Sequence, residues 1–186
     1  MVRAHEAPKR VAKAYIRRME AWTQRFRGAR ILVVGDLIVD EFVWGTVNRI
    51  SPEAPVPVVQ VTDRSLRLGG AANVVNNLRA LGARVMVSGL VGEDEPGDWL
   101  VQELRRKGIP IGGIVRDRGR RSTMKTRIIA HSQQVVRIDR EEEKPLTPAQ
   151  TEGICDYVAS QARRVDAVIV SDYGKGVVGE QLMDAV

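Results

Sequence analysis

Two aspartates, Asp36 and Asp40, stand four residues apart just after the apolar run Ile31–Val34 and Gly35. An ionised carboxylate only accepts hydrogen bonds, and a pair of them near the C-terminal end of a strand can hold adjacent hydroxyls of a polyol. A turn or helix-capping role is the ordinary alternative for either one. Gly69-Gly70-Ala71-Ala72-Asn73 lies at an expected helix start. Its small residues let a ligand approach the backbone, its first-turn N–H groups are free to donate, and Asn73 can both donate and accept. A glycine turn with no ligand is the alternative. Lys125, Arg127 and Arg137 fall on an expected hairpin. Strand alternation turns Lys125 and Arg127 to one face, where two cations can hold a phosphate, although a solvated strand face is the commoner reason for such a pair. No G-x-x-x-x-G-K-[ST] or G-x-G-x-x-G phosphate loop occurs, and Gly174-Lys175-Gly176 lacks both the upstream glycine and the Ser/Thr. His5, His131 and Cys155 have no metal-ligand spacing, and Cys155 is expected in the core.

The elements that must position these residues alternate between strand and helix. Arg30–Gly35 carries four apolar residues in succession, as a parallel strand covered on both faces requires. A second extended stretch is expected from about Pro55 to Thr62, confined by Pro52, Pro55 and Pro57 to an edge or a small separate sheet. Ala71, Val74, Val75, Leu78 and Leu81 form one face of a helix closed by Gly82. Arg84–Leu90 reads as a strand, and about Pro96–Lys107 as a helix with proline in its first turn, ended by Gly108. Ser122–Ala130 and Gln134–Asp139 flank the polar turn His131-Ser132-Gln133 and predict a hairpin. The charged run Arg140–Lys144 reads as a solvated loop. Thr147-Pro148-Ala149-Gln150 fits a capping box, and the helix it opens presents Thr151, Ile154, Val158, Ala162 and Val165 on one side. Ala167–Val170 is a further short strand. This order predicts an α/β fold with a mostly parallel sheet flanked by helices, interrupted by β segments that break the alternation. The run from Gly179 to Val186 starts a helix without a stop signal, so the chain is expected to be the N-terminal part of a longer fold.

Composition narrows the function classes. The chain has 186 residues and a net charge of +6, yet residues 1–28 hold eight Lys/Arg against two Glu, and the remaining 21 basic and 21 acidic side chains cancel. The basic surplus therefore belongs to an N-terminal arm, residues 1–29. With only 4% aromatics and a neutral body, the sequence argues against nucleic-acid binding. Val11, Tyr15, Met19, Trp22 and Phe26 make one apolar stripe on that arm. A helix docked on the domain by the stripe is the favoured reading, a membrane-surface or partner helix the sharper one. No apolar run is long enough to span a bilayer, no apolar signal segment opens the chain, and the lone Cys155 excludes an intrachain disulfide, so a cytoplasmic protein is expected.

Val34-Gly35-Asp36 with Asp40, Gly69-Gly70-Ala71-Ala72-Asn73 with Leu81-Gly82, and Val91-Gly92-Glu93-Asp94 with Gly97 together resemble the ribokinase-like (PfkB) family of carbohydrate kinases. Three stretches are similar to those of heptose-7-phosphate kinases within it, the kinase half of bifunctional ADP-heptose synthases of lipopolysaccharide assembly. They are Arg49–Val58, Gln133–Asp139 and Ser171–Gly176. The resemblance runs from about Ile31 to the last residue, Val186. It implies a small β lid formed by segments near 43–62 and 122–140, and a homodimer through that lid. The implied reaction moves the γ-phosphoryl group of ATP, with Mg²⁺, to the 1-hydroxyl of D-glycero-β-D-manno-heptose 7-phosphate. Asp36, Asp40, Gly69, Gly70 and Asn73 would hold the sugar. Lys125, Arg127 and Arg137 would meet its phosphate. Asp172, on the substrate side, and Lys175, on the ATP side, would line the cleft between them. The family's Asn-x-x-Glu and Gly-Ala-Gly-Asp segments do not occur in residues 1–186. The resemblance places both, and with the second the catalytic base, beyond Val186. No catalytic residue is therefore assigned in this chain, and the chain alone is expected to be inactive. Two other readings stay open: another sugar or nucleoside kinase of the fold, and a non-catalytic sugar-binding or regulatory module.

Overall fold

The computed structural model of the chain describes residues 9–186, with side chains from Ile16 onward. His5 and the stripe side chains Val11 and Tyr15 lie outside the described residues. After helix α1 (Lys9–Gln24), the chain forms β1 (Arg30–Gly35), β2 (Leu37–Ile50), β3 (Pro57–Gly69), α2 (Gly70–Ala80), β4 (Arg84–Gly92) and α3 (Glu95–Arg106). Then come β5 (Gly113–Asp117), β6 (Thr123–Ala130), β7 (Gln133–Arg140), α4 (Pro148–Ala162), β8 (Ala167–Ser171) and α5 (Glu180–Ala185).

The strands divide into two sheets of four, β5-β4-β1-β8 and β3-β2-β6-β7. Every pairing in the first is parallel. Strand β1 lies inside it and follows the two-residue period of a pleat: Ile31 and Val33 pack in one apolar cluster with Ala71, Val75 and Leu104, while Leu32 and Val34 pack in the other with Ile154, Val158 and Leu182. Helices α2 and α3 thus cover one face and α4 and α5 the other. Burying each such aliphatic side chain contributes about 1.5–3 kcal/mol, so this sheet dominates the fold's stability. Glycine permits two close approaches here: a Cβ on Gly35 (φ +150°) would collide with the Ser171 carbonyl oxygen, and one on Gly70 (φ +52°) with that of Asp36.

The second sheet holds the segments expected to form a lid, and we call it the lid sheet. Strand β2 begins in the core, with Leu37, Ile38 and Val39 all buried, and runs out from there. It pairs antiparallel with β3 and parallel with β6, which closes an antiparallel hairpin with β7 through His131 and Ser132, both at positive φ. The hairpin turn lies where the polar tripeptide predicts it. Strand β2, however, starts at Leu37, earlier than the lid segment expected from about residue 43. The run Leu37-Ile38-Val39 reads as a continuation of β1, and only the reversal at Asp36 separates them. Strand β3 is longer than Pro55–Thr62, and the short β5, with two apolar residues, carries too little pattern to show in sequence.

The capping box at Thr147 forms as expected, with the Thr147 side chain accepting from the Gln150 N–H and the Gln150 side chain accepting from the Thr147 N–H. The docked arm does not. Ile16, Met19 and Trp22 are each about half exposed (55%, 49% and 51%), and Arg25 stacks on Trp22. Contact with the body comes at the arm's end, where Phe26 packs against the core and the Gly28 N–H donates to Gly82 O. No helix among the described residues is long and apolar enough to cross a membrane.

Candidate functional site

Asp36 and Asp40 part company. Asp36 sits at the reversal between β1 and β2 and is 1% exposed. Its carboxylate accepts from three backbone N–H groups of the loop after β8: Tyr173 (2.7 Å), Lys175 (3.1 Å) and Val177 (3.3 Å). Its own N–H donates to Ser171 O, and its carbonyl accepts from Ala71 N–H at the start of α2. Three of the carboxylate's roughly four acceptor sites are taken, and its burial keeps the rest from a sugar in the Asp40 cavity. The sugar-holding role expected for Asp36 is therefore corrected: it is a positioning residue that ties β1, α2 and the 173–177 loop together. The reason is topological, since β1 pairs with β8 and its terminal side chain meets that strand's loop.

Asp40 lies on β2, one residue past the buried run, and lines a cavity of about 400 Å³. Asn73, from the first turn of α2, lines the same cavity, as does Asn76 one turn on. Gly69 lies directly behind Asp40, where a Cβ would come within 2.5 Å of the carboxylate oxygen. The diglycine thus does two jobs: Gly69 leaves room for the Asp40 side chain, and Gly70 lets α2 start against Asp36. Trp99 and Glu103, on successive turns of α3, and Lys107 just past its end close the far wall, with Phe42 and Arg67 on the lid side. Asp40, the two asparagines and Arg67 supply donors and acceptors beside two aromatic faces, the mix of an apolar wall and a few converging polar groups that suits a hydroxylated ring. Phe42 and Asn76 could have been found from sequence: Phe42 follows Asp40 by one pleat and Asn76 follows Asn73 by one turn. Arg67 needed the β2–β3 register, which pairs it with Asp40.

Two cross-strand rows run over the lid's inner face. One reads Arg67, Asp40, Lys125, Asp139 across β3, β2, β6 and β7, and the next reads Ser65, Phe42, Arg127, Arg137. Lys125 and Arg127 do share a face, as alternation predicts, but they serve different partners. Arg127 donates to Asp40 at 2.5 Å, and its guanidinium lies 5.4 Å from the Phe42 ring centre, with Arg67 at 5.0 Å from the same ring. Lys125 turns away to Asp139 (3.2 Å) and Glu141 (3.6 Å). Arg137 also pairs with Asp139 (2.8 Å). Burial pushes the Asp139 carboxyl up, but Arg137 and Lys125 together hold it below the usual aspartate range.

The run Arg140–Lys144 is not simply a solvated loop. Glu141 bridges Lys125 and Lys175, and Lys175 reaches Glu143 as well, at 3.3 Å. The hydrogen bond from Lys175 holds the Glu141 carboxyl below its ordinary value, and that same bond raises Lys175. Alternating charge hid this network, because nothing in the run shows which acids face inward. Arg120, 8% exposed, was also missed. It donates to the carbonyls of Lys144, Pro145 and Lys175 and so locks this stretch to the loop after β8. Asp172 stands exposed at the end of β8, and its carboxylate accepts from the Gly174 N–H at 2.8 Å, shaping its own turn. Glu41, buried on the lid's other face, pairs with Arg64 and Thr126. Asp94 caps α3 and holds the Ser122 N–H (2.9 Å) and hydroxyl (2.6 Å), so the Gly92-Glu93-Asp94 motif fixes the start of β6. Val186, the residue beyond which the resemblance places the family's base, directly follows α5 and is exposed. It does not line the Asp40–Asn73 cavity. Among the described residues no group of three or more His, Cys, Asp and Glu side chains could hold a metal ion.

A profile described as pfkB family carbohydrate kinase matches residues 29–186. The chain is 48% identical over 170 residues to the Bifunctional protein HldE of Citrifermentans bemidjiense, covering 91% of this chain and 35% of that protein. It is 46% identical over 157 residues to the Bifunctional protein HldE of Helicobacter pylori strain J99, covering 84% of this chain and 34% of that one. The chain thus spans about a third of the length of these curated relatives. Among solved structures, the phosphofructokinase-2 from Escherichia coli in complex with fructose-6-phosphate superposes with a TM-score of 0.61 at 17% identity, over 84% of this chain and 50% of that one. A carbohydrate kinase from Agrobacterium tumefaciens gives 0.60 at 20% identity, over 76% and 45%. At such identities the likeness speaks for the fold, a ribokinase-like mostly parallel sheet with flanking helices. The profile's span and the arrangement of its motifs make the conclusion direct: this chain belongs to the pfkB family of carbohydrate kinases.

Proposed function

We propose that these residues bind the acceptor of an ATP-dependent sugar kinase, and that the acceptor is D-glycero-β-D-manno-heptose 7-phosphate, phosphorylated on its 1-hydroxyl in the cytoplasm on the route to ADP-heptose and lipopolysaccharide. The observation that carries the reading is the shared cavity of Asp40 and Asn73, with Gly69 behind the carboxylate. The similarity to two proteins named Bifunctional protein HldE supports the choice of heptose. Asp40 accepts from sugar hydroxyls, Asn73 donates and accepts beside it, and Arg127, with Arg67, brings positive charge to the lid side for the phosphate the substrate already carries. Arg127 also donates to Asp40 and so orients its carboxylate in the cavity. Arg137 and Lys125 serve the phosphate less directly, through Asp139.

Phosphoryl transfer needs the acceptor oxygen in line, a base for its proton, and positive charge around the moving group. Lys175 faces the side from which ATP would come. Bound Mg²⁺ would neutralise phosphate charge. We assign recognition, and not proton removal, to the described residues. We also propose that the lid's outer face pairs two copies: Val43, Ile128 and Val136 share one cross-strand row there, and Val136 and Ile138 are 45% and 52% exposed.

The test is calorimetric titration of the purified chain with heptose 7-phosphate and with unphosphorylated heptose. Binding of the phosphorylated sugar is expected to weaken about tenfold in Arg127→Ala, the equivalent of ~1.4 kcal/mol, and to be lost in Asp40→Asn. Equal affinity for the two sugars, or no effect of Asp40→Asn, would overturn the reading.

A further inference from the structure

Lys125 and Lys175 come from distant parts of the chain, one from a lid strand and one from the loop after β8, yet both ammonium groups close on one carboxylate. Lys175 Nζ lies 2.9 Å from Glu141 Oε1, and Lys125 Nζ lies 3.6 Å from Glu141 Oε2. The lysine side chains are only 13% and 16% exposed. Both are fixed: Lys125 lies within β6, and the Lys175 backbone is held by Asp36 and Arg120. Glu141 is not. It opens the irregular stretch between β7 and α4, so its side chain can leave without breaking a strand.

The fit of that carboxylate is imperfect. Its Oε2 is buried and accepts no hydrogen bond, because Lys125 stands too far away. A carboxylate has two oxygens in a plane, whereas a phosphate has more, spread tetrahedrally, and can reach both ammonium groups. Charge points the same way. Lys125, Arg137 and Lys175 are balanced by Asp139, Glu141 and Glu143, so a phosphate entering with Glu141 in place gains no net attraction. Removing Glu141 leaves a surplus of one positive charge around two buried-side ammonium groups.

We propose that Lys125 and Lys175 form an oxyanion site for a phosphate group and that Glu141 fills it from within, so that a phosphate-bearing ligand enters by displacing the Glu141 carboxylate. Glu141 is then a positioning residue: it holds the two lysines in place while the site is empty and competes with the ligand that fills it. The inference deepens the kinase reading and rests on it only for which phosphate arrives.

Inorganic phosphate is the probe, titrated calorimetrically into the 186-residue chain. Glu141→Gln keeps the side chain's size and removes its charge, and is expected to bind phosphate about tenfold more tightly, since a like charge close to the ligand is gone. Adding Lys175→Met to it is expected to abolish binding. Glu143→Gln, whose side chain is 72% exposed, tests the same idea without touching the buried bridge and is expected to tighten binding about twofold. ATP displacing phosphate would assign the site to the donor, and heptose 7-phosphate displacing it would assign the site to the acceptor. A natively folded Glu141→Gln that binds phosphate no better than the parent overturns the inference, as does displacement by neither ligand. Should Glu141→Gln fail to fold, unchanged or weaker binding in Glu143→Gln overturns it. None of these failures touches heptose binding at Asp40, so the two readings fall separately.

Discussion

In the core sheet, β1 buries Ile31 to Val34 two toward each helical layer, and no polar side-chain atom is asked for anything along those four residues. In the lid sheet, β2 turns Asp40 and Phe42 over the cavity while Glu41 and Val43 face the other way, and nearly every second residue meets a charged or aromatic partner on the next strand. The pleat is the same. What differs is that the core strands are specified by what they exclude, and the lid strands by whom they face. Stability should therefore concentrate in the first sheet and ligand recognition in the second.

Truncating one residue in each separates them most strongly. Leu32→Ala removes a fully buried side chain from the core and is expected to cost about 2–5 kcal/mol in urea denaturation. Val136→Ala on the lid's outer strand, 45% exposed in a single copy, is expected to stay within about 0.5 kcal/mol at protein concentrations where two copies are apart. A cost of more than about 1.5 kcal/mol for Val136→Ala would mean that the lid carries core-like burial, as a tight pairing of two copies would supply.

The two adjacent glycines give a sharper version at the boundary. Gly70→Ala drives a Cβ into a backbone oxygen at a positive φ, and is expected to destabilise the fold by about 1–3 kcal/mol. Gly69→Ala meets the carboxylate of Asp40 at 2.5 Å, where a side chain can swing aside, and a backbone oxygen only at 3.2 Å, that of Ile38. Its expected effect is on the site, with heptose 7-phosphate affinity falling about tenfold and the melting midpoint nearly unmoved. Reversed outcomes would place the cavity's floor at Gly70 and end the division of labour argued for the pair.

The same contrast explains what could be read in advance. The core sheet announced itself through apolar runs at Ile31–Val34 and Val85–Val87, and the helices through their caps at Thr147 and Gly69-Gly70. The lid was legible only where its turn was, at His131-Ser132-Gln133. The start of strand β2 was hidden because its first three residues belong to the core and its later ones to the lid, so no single period spans it. The site followed suit. Asp40 and Asn73 were identifiable by type and position, and they share a cavity. Asp36 has the same side chain and a similar position, but its burial depends on β8 arriving beside β1, more than 130 residues later in the chain. Lys125, Arg137 and Lys175 were visible as cations, whereas their partners lay within an undifferentiated acidic run.

Acid should weaken the join between the sheets before it affects either one. Glu141 is held below the ordinary glutamate value of 4.5 by Lys175, so its contribution is fully present above that value and is lost as pH falls through the lower, folded one. Glu141→Gln is expected to be less stable than the parent at pH 6, with the two curves converging as pH falls below the ordinary glutamate value and the parent's carboxylate takes up its proton. Parallel curves across that range would show that the bridge to Lys175 adds nothing to folding.

The smallest effect is expected on the arm. Trp22 would, if docked, remove a large apolar surface from water, and Trp22→Ala would then cost about 3–5 kcal/mol. With half its surface exposed and its ring stacked only by Arg25, the same change is expected to lie within about 0.5 kcal/mol. Phe26→Ala, four residues on and packed against the core, serves as the internal control and should cost measurably more. The boundary between arm and domain thus falls between Trp22 and Phe26, and equal costs for the two substitutions would move it back to the helix's start.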